Sequence, residues 1–465
     1  MASPESPTPS IELLTRARYI VLAFLCSMAF VLYLDRVCIS QALVPMKGEF
    51  GWTNTQASLI LMAFTLAYGL FEIPTGRLGD QLGSRQVLTR IVLWWSAFTA
   101  ITGLVGNFTY IGEFGSIPLI FNSLTLMVLI RFWFGAGEAG ALPNAARILL
   151  RWFHASERGR MQGAFQASMH IGGTIAPKLA AEIIAGSGWR ATFFVFGLMG
   201  VLWAGLFYWW FRDSPAEHSA VNLAELQQIG PPQHGDVQHH DAVPWREVVK
   251  HPNIWLLSIT VTMSAFNTYL FFSWYPTYLQ EGRLVSNELT GWLAALALLG
   301  ATIGSLIGGV LSDRITRHAT DRYRARRWLC LATYLAGAFF LSASVHVDSP
   351  SLSALLCGLA CLAISCQLPT WWAVAFDVSG KHTGSLFGLL NGMGVFGAIS
   401  SQFFFGAFSD WRKAQGFEGR DQWDPAFYVC AGLLVIAGIL WQFVRHRPAI
   451  GEADGSDLSA VEKAS

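Results

Sequence analysis

The chain has 465 residues, of which 53% are hydrophobic and only 13% charged, with a formal net charge of +1. Soluble globular chains carry about 25% charged residues, so the composition excludes an ordinary soluble domain and reads as a polytopic membrane protein. The sequence carries no basic DNA-reading element, so no nucleic-acid partner is expected, and no G-x-S-x-G, H-E-x-x-H or P-loop is present on which a membrane-embedded enzyme would be built.

Residues 1–18 are polar, proline-rich and end in Arg16 and Arg18, a cytoplasmic N-terminal tail. No small-residue cleavage site follows the first apolar run, so that run is expected to remain as a span. Apolar stretches of about 20 residues, the length that crosses a bilayer, number twelve: 19–42, 56–76, 87–107, 121–147, 159–182, 190–211, 252–280, 289–311, 328–346, 352–376, 383–408 and 425–445. This predicts an all-α polytopic fold. The polar stretch 213–250 separates two six-helix halves, 19–212 and 251–446, and a second tail covers 447–465. The stretch contains His234, His239 and His240, but its composition reads as a flexible, solvated linker rather than a metal site. Asp213 at its start also reads as solvated. The seven cysteines all sit in apolar runs and read as small packing residues.

Lysine and arginine mark the cytoplasmic side. With the N-terminus inside, twenty of them fall on that side and six on the other: Lys47, Arg190, Arg283, Arg412, Lys413 and Arg420. Both termini are therefore expected in the cytoplasm, in a multi-pass protein of the inner or plasma membrane. A monomer in the lipid bilayer is expected.

The halves repeat. GRLGDQLGSR (Gly76 to Arg85) follows the second span and GVLSDR (Gly309 to Arg314) follows the eighth, an offset of 233. Gly159, Gly163, Gln166 and Gly172 pair with Gly384, Gly388, Asn391 and Gly397, each 225 later. Duplication in a twelve-span protein marks a carrier with its site between the halves near the midplane.

Charges interrupt the apolar runs at few places. Asp35 and Arg36 lie in YLDRVCIS of the first span, and Arg131 and Glu138 in RFWFGAGEAGALPN of the fourth. A charge at bilayer depth costs at least about 2.5–3.5 kcal/mol on insertion scales. Arg131 and Glu138 are two turns apart on one face, and the glycines and alanines between them admit another helix closely. The fourth span runs from outside to inside, which puts Arg131 about 13 Å deep. Arg147 and Lys178 lie near span ends and read as snorkelling, and Asp377 as a cap or ion-pair partner near the end of span ten. His170 reads equally as a packing residue or as a proton or substrate contact, and Gln166 shares its face.

GRLGDQLGSR resembles the G-x-L-x-D-x-x-G-x-R loop motif of the major facilitator superfamily. YLDRVCIS, RFWFGAGEAGALPN, ERGRMQGAF, WYPTYL, Trp372-Ala373-Val374 and LLNGMG further resemble its anion:cation symporter family, across nearly the whole chain. The resemblance implies two pseudo-symmetric six-helix halves. It implies a gating role for Gly76, Arg77, Asp80, Gly83 and Arg85 and for the weaker copy at Asp313 and Arg314. It implies anion binding by Arg36 and Arg131, proton coupling by Asp35 and Glu138, and pocket roles for Tyr33, Tyr68, Trp372 and Asn391. The glutamine that galactonate-type members use in span five has no counterpart, since Met169-His170 stands there.

The chemistry of the residues agrees. A hydrated carboxylate entering a dry cavity needs fixed positive charge, and arginine is always protonated and can bind a carboxylate bidentately. Burial disfavours a charged carboxylate while a neighbouring arginine favours it, so Asp35 and Glu138 respond to whether the arginines hold substrate. The expected function is import of an organic anion, a sugar acid or related carboxylate, with no cofactor and with the proton as coupling ion. Sodium coupling, a drug/proton antiporter of the same fold and an anion-sensing receptor are the rivals. A cationic-drug pocket has no use for two arginines. The alternative for the charges is a structural one, with Arg131–Glu138 and Arg36–Asp35 as static pairs locking helices together.

Overall fold

The computed structural model describes residues 15–114, 117–230, 244–447 and 449–450; the side chains of residues 73, 76–81, 112–114, 117–120, 318, 381 and 384 lie outside that description. The three linker histidines and the tail 451–465 are also outside the described residues.

The first half comprises α1 (Ala17–Phe50), α2 (Asn54–Leu82), α3 (Ser84–Thr102), strands β1 (Thr109–Phe114) and β2 (Ile117–Asn122), α4 (Ser123–Glu138), α5 (Ala141–Trp152) and α6 (Ala155–Trp210). Two short helices, α7 (Leu223–Ile229) and α8 (Trp245–Lys250), lead to the second half. That half begins with α9 (Pro252–Tyr269) and α10 (Tyr275–Thr277), with π-helical turns at Leu270–Trp274 and Tyr278–Gly282. It continues with α11 (Asn287–His318), α12 (Arg322–Ser344), α13 (Pro350–Cys366), α14 (Leu368–Ser379), α15 (Thr383–Ala414) and α16 (Arg420–Trp441).

Among the described residues, nine stretches are long and apolar enough to cross a membrane. One of them, α6, has 56 residues, about 84 Å of helix against a hydrocarbon core of about 30 Å. Gly188, at φ 79° and ψ 166°, breaks it into two spans. α3 and α12, whose first turns carry arginines, complete the twelve. The α4–α5, α9–α10 and α13–α14 pairs each form one broken span.

Local signals set the helix starts. Thr53 and Gln56 form a reciprocal capping box on α2. Asp321 accepts from the backbone N–H groups of Tyr323 and Arg324 at the start of α12, and those bonds hold its carboxyl below the ordinary range. The loop before the fourth span holds a two-stranded sheet. β1 and β2 pair antiparallel there, with Thr109 opposite Asn122, and α4 starts only at Ser123.

Small residues set the helix contacts. A β-carbon on Gly135 would stand 2.4 Å from Phe64 O of α2, and one on Gly137 would stand 1.8 Å from the Trp94 ring of α3. The repeat is visible in the same terms. Gly172 of α6 rests on Phe30 O of α1 (2.5 Å to a built β-carbon), and its counterpart Gly397 of α15 rests on Thr262 O of α9 (2.2 Å). Between the halves, α2 packs on α15 and α6 on α11.

The stretch 213–250 is not wholly a solvated linker. Glu225 of α7 is fully buried and accepts hydrogen bonds from Thr15 Oγ1 (2.6 Å), Ala17 N (3.1 Å) and Arg18 N (3.1 Å). It therefore caps the start of α1, where the first backbone N–H groups otherwise lack partners. Asp213 is likewise engaged, since its Oδ1 accepts from Arg85 N at 2.9 Å. Gly83 has φ +82°, and a β-carbon there would meet Asp213 Oδ2 at 2.9 Å, so both backbone and space demand glycine.

The two ends of the molecule differ. At the end carrying Lys47, the halves are tied together. Lys47 pairs with Glu281 at 2.5 Å, Asp410 accepts from Asn54 N (3.1 Å) and Thr55 N (2.7 Å), and Gln41 donates to Asn287 Oδ1 (2.7 Å). Toward the Arg85 end, the described residues give the halves the Asn391–Glu72 bond between α15 and α2.

Candidate functional site

A cavity of about 190 Å³ lies between the halves. Tyr33, Arg36 and Ile39 of α1, Leu61 and Phe64 of α2 and Arg131 of α4 line one side. Thr268 and Tyr269 of α9, Phe272 and Ser273 of the π-helical turn that follows, and Gln402 of α15 line the other. The π turn matters locally: it widens the helix where it meets the cavity, as such turns often do at functional sites.

Arg36 donates Nε to Glu138 Oε1. Its guanidinium lies 4.4 Å from the Tyr68 ring centroid and 5.4 Å from that of Tyr33, and its Nη2 has no hydrogen-bond partner in the protein. Arg131 is 1% exposed; it packs over Phe134 (4.3 Å) and Phe64 (5.3 Å). Its Nε and Nη2 have no hydrogen-bond partner in the protein, while the Glu138 and Asp35 carboxylates lie near enough to act on its charge. Arg131 and Glu138, two turns apart on α4, are thus not bonded to each other. The Arg36–Asp35 pair does not form either: both Asp35 carboxylate oxygens lack a hydrogen-bond partner, and the side chain faces Trp95 and Thr99 of α3. Neither of the static pairs anticipated from sequence exists. The ion pair that does form joins α1 to α4 and leaves Arg131, on the cavity wall, without a hydrogen-bonded carboxylate.

The sequence family described as the Major Facilitator Superfamily matches residues 25–401, with a second match over 284–463. The chain belongs to the Major Facilitator Superfamily. It is a multi-pass membrane transporter, not an enzyme. The probable sulfoacetate transporter of Cupriavidus necator is 32% identical over 443 residues, covering 94% of this chain and 96% of that protein. The probable L-galactonate transporter of Escherichia coli is 27% identical, with 83% of each chain covered. Among solved structures, a bacterial homologue of the human lysosomal transporter Spinster superposes with a TM-score of 0.74 at 19% identity, over 91% of this chain and 96% of that one.

Of the residues singled out from sequence, the transporter brings Tyr33, Arg36 and Arg131 together at the cavity, with Glu138 and Tyr68 against Arg36. Asp35 is buried behind them. Asn391 lies nearer the Arg85 end, donating Nδ2 to Glu72 Oε2 at 2.5 Å. Gln166 is exposed and His170 half-buried, and neither lines the cavity. Trp372 is 43% exposed and stacks on Phe387 at 4.8 Å, also away from the cavity. In the loop motif, α2 runs through Gly76, Arg77 and Asp80, whose side chains are outside the described residues. Arg85 turns to its own half, donating to Tyr208 O at 2.9 Å and 2.5 Å. Asp313 and Arg314 are exposed. Near the ends of spans, Asp377 pairs with Arg326 (2.6 Å) and Lys178 with Glu182 (2.6 Å).

Several site residues had not been singled out. Glu72 had a clear signal, being the one acidic or basic side chain of α2 between Asn54 and Gly76. Gln402 is a buried amide that bonds Thr65 of α2 (3.1 Å) and Ser273 (3.1 Å), and it is polar in an apolar run. Phe64 and Tyr269 carry no signal that separates them from packing aromatics.

Proposed function

We propose that the transporter imports a small organic anion, a sugar acid or related carboxylate, by proton symport with alternating access. The observation that carries this reading is Arg131, a buried guanidinium with two unpartnered donors on a cavity between the halves. Such a group is matched by a carboxylate that accepts two parallel N–H bonds. The relatives support the substrate class, since sulfoacetate and L-galactonate both carry a carboxylate.

The excess of lysine and arginine supports assigning the Arg85 end to the cytoplasm, in the inner or plasma membrane with both termini inside. On that assignment the ties at the Lys47 end close the outer side, as an inward-facing carrier requires. Coupling then runs through the Arg36–Glu138 pair. In the outward-facing state a proton on Glu138 releases Arg36, and Arg36 and Arg131 together hold the anion. The loaded carrier reorients, the anion and proton leave to the cytoplasm, and Glu138 takes Arg36 back. Asp35 is the second buried carboxylate available to carry a proton.

The test is a carboxylate panel, including sulfoacetate, L-galactonate and acetate, on purified protein in liposomes containing a pH dye. Uptake of one acid with lumen acidification is expected. Uptake indifferent to the proton gradient and dependent on Na⁺ overturns proton coupling, and binding without flux overturns transport.

A further inference from the structure

Glu72 is a carboxylate that the mechanism above leaves unused. It sits on α2 one turn beyond Tyr68, toward the Arg85 end. The Tyr68 ring carries the Arg36 guanidinium at 4.4 Å. Across the interface, Asn391 of α15 donates to Glu72 Oε2 at 2.5 Å. The groups acting on Glu72 are Arg36 from α1, Asn391 from α15 and Tyr68 from its own helix. Glu138, which grips Arg36, is 1% exposed, whereas Glu72 is half-buried and its bond to Asn391 is open to solvent.

This placement is odd for an anion carrier. An ionised carboxylate between the anion site and its exit repels the passing anion and attracts Arg36. A protonated one does neither. A guanidinium has five donors, and Arg36 Nη2 is unpartnered while Nε serves Glu138, so one arginine can answer to two carboxylates. The amide of Asn391 donates to Glu72, which is the hydrogen bond an ionised carboxylate accepts.

We propose that Glu72 is a further proton-carrying carboxylate of the coupling cycle, besides Glu138, set between the anion site and the Arg85 end. It enters the loaded carrier protonated, so the anion passes it. Once it faces the water at the Arg85 end, its O–H breaks and the proton goes to solvent. The carboxylate left behind accepts from Asn391, draws on Arg36 and opposes return of the anion. This rests on the proton-symport reading.

The experiment measures the proton-to-anion ratio by reversal potential in liposomes, with L-galactonate and sulfoacetate as probes. It compares wild type, Glu72→Gln and Glu72→Asp. Glu72→Gln keeps the shape and a hydrogen bond to Asn391. It is expected to keep counterflow, to lower the ratio by one proton per anion, and to flatten the dependence of efflux on pH at the Arg85 side. Glu72→Asp is expected to restore the ratio with a shifted pH profile. An unchanged ratio and profile in Glu72→Gln, with only slower exchange, overturns the proposal and leaves Glu72 a latch between α2 and α15. If Glu72→Gln does not fold, an unshifted profile in Glu72→Asp overturns it. A wild type with no proton coupling removes the symport reading itself, a result distinct from a coupled wild type indifferent to Glu72.

Discussion

Arg36 of α1 is paired with Glu138 of α4, two turns along that helix from the unpaired Arg131. The pair links two helices of one half and sets the charge of the cavity. On the proposed symport reading, Glu138 bound to Arg36 leaves Arg131 alone for the anion, and a neutral Glu138 frees both arginines.

Arg131 is the fixed half of the proposed anion clamp. Arg131→Lys keeps the charge but loses the planar fork, so the change is not conservative. Charged hydrogen bonds contribute about 1.5–3 kcal/mol each, and anion affinity is expected to fall about ten- to hundred-fold. Isothermal titration with the transported acid checks this; unchanged affinity would mean that the anion sits elsewhere.

Gly135 fixes how closely α4 approaches α2. A β-carbon there would stand 2.4 Å from a backbone oxygen, which cannot swing aside. Gly135→Ala is expected to destabilise by about 1–3 kcal/mol, the usual range for overpacking. The check is the thermal midpoint of the detergent-solubilised protein, with Gly205→Ala, where a built β-carbon meets nothing within 4 Å, as the neutral control.

The sequence made the helices legible because apolar runs of bilayer length have few other uses. It also singled out Asp35, Arg36, Arg131 and Glu138, which the structure gathers into one cluster, because charges at that depth are few. It did not reveal which charges bond, since pairing depends on how α1 and α4 are rotated against each other and spacing along α4 constrains only that helix. The linker was misread for a related reason. Glu225 looks like a solvated acid in a polar stretch, and only the nearness of Thr15 and Ala17, over two hundred residues away, turns it into a cap.

That cap is itself testable. Glu225→Ala strips three donors at the start of α1 of their acceptor, and loss of a helix cap costs about 0.5–2 kcal/mol. Hydrogen exchange at residues 17–20 is expected to quicken while exchange in α11 stays unchanged. No change at 17–20 would show that the docking of α7 is incidental.

Asp410 holds the start of α2 from the other half, with one carboxylate oxygen on Asn54 N and the other on Thr55 N. Asp410→Asn keeps one acceptor and loses the charge that suits a helix N-terminus. The closed Lys47 end is expected to loosen, seen as faster exchange over residues 54–58 and in the last turns of α15. Equal protection in the two proteins would mean that Lys47–Glu281 and Gln41–Asn287 suffice to hold that end.

The central claim is that Glu138 converts proton binding into a free Arg36, and Glu138→Gln in liposomes tests it most directly. With the carboxylate made permanently neutral, counterflow of the acid between two loaded compartments is expected to continue, while uphill uptake driven by a proton gradient is lost. If Glu138→Gln still concentrates the acid against its gradient, the Arg36–Glu138 pair is structural and the coupling proton is carried elsewhere.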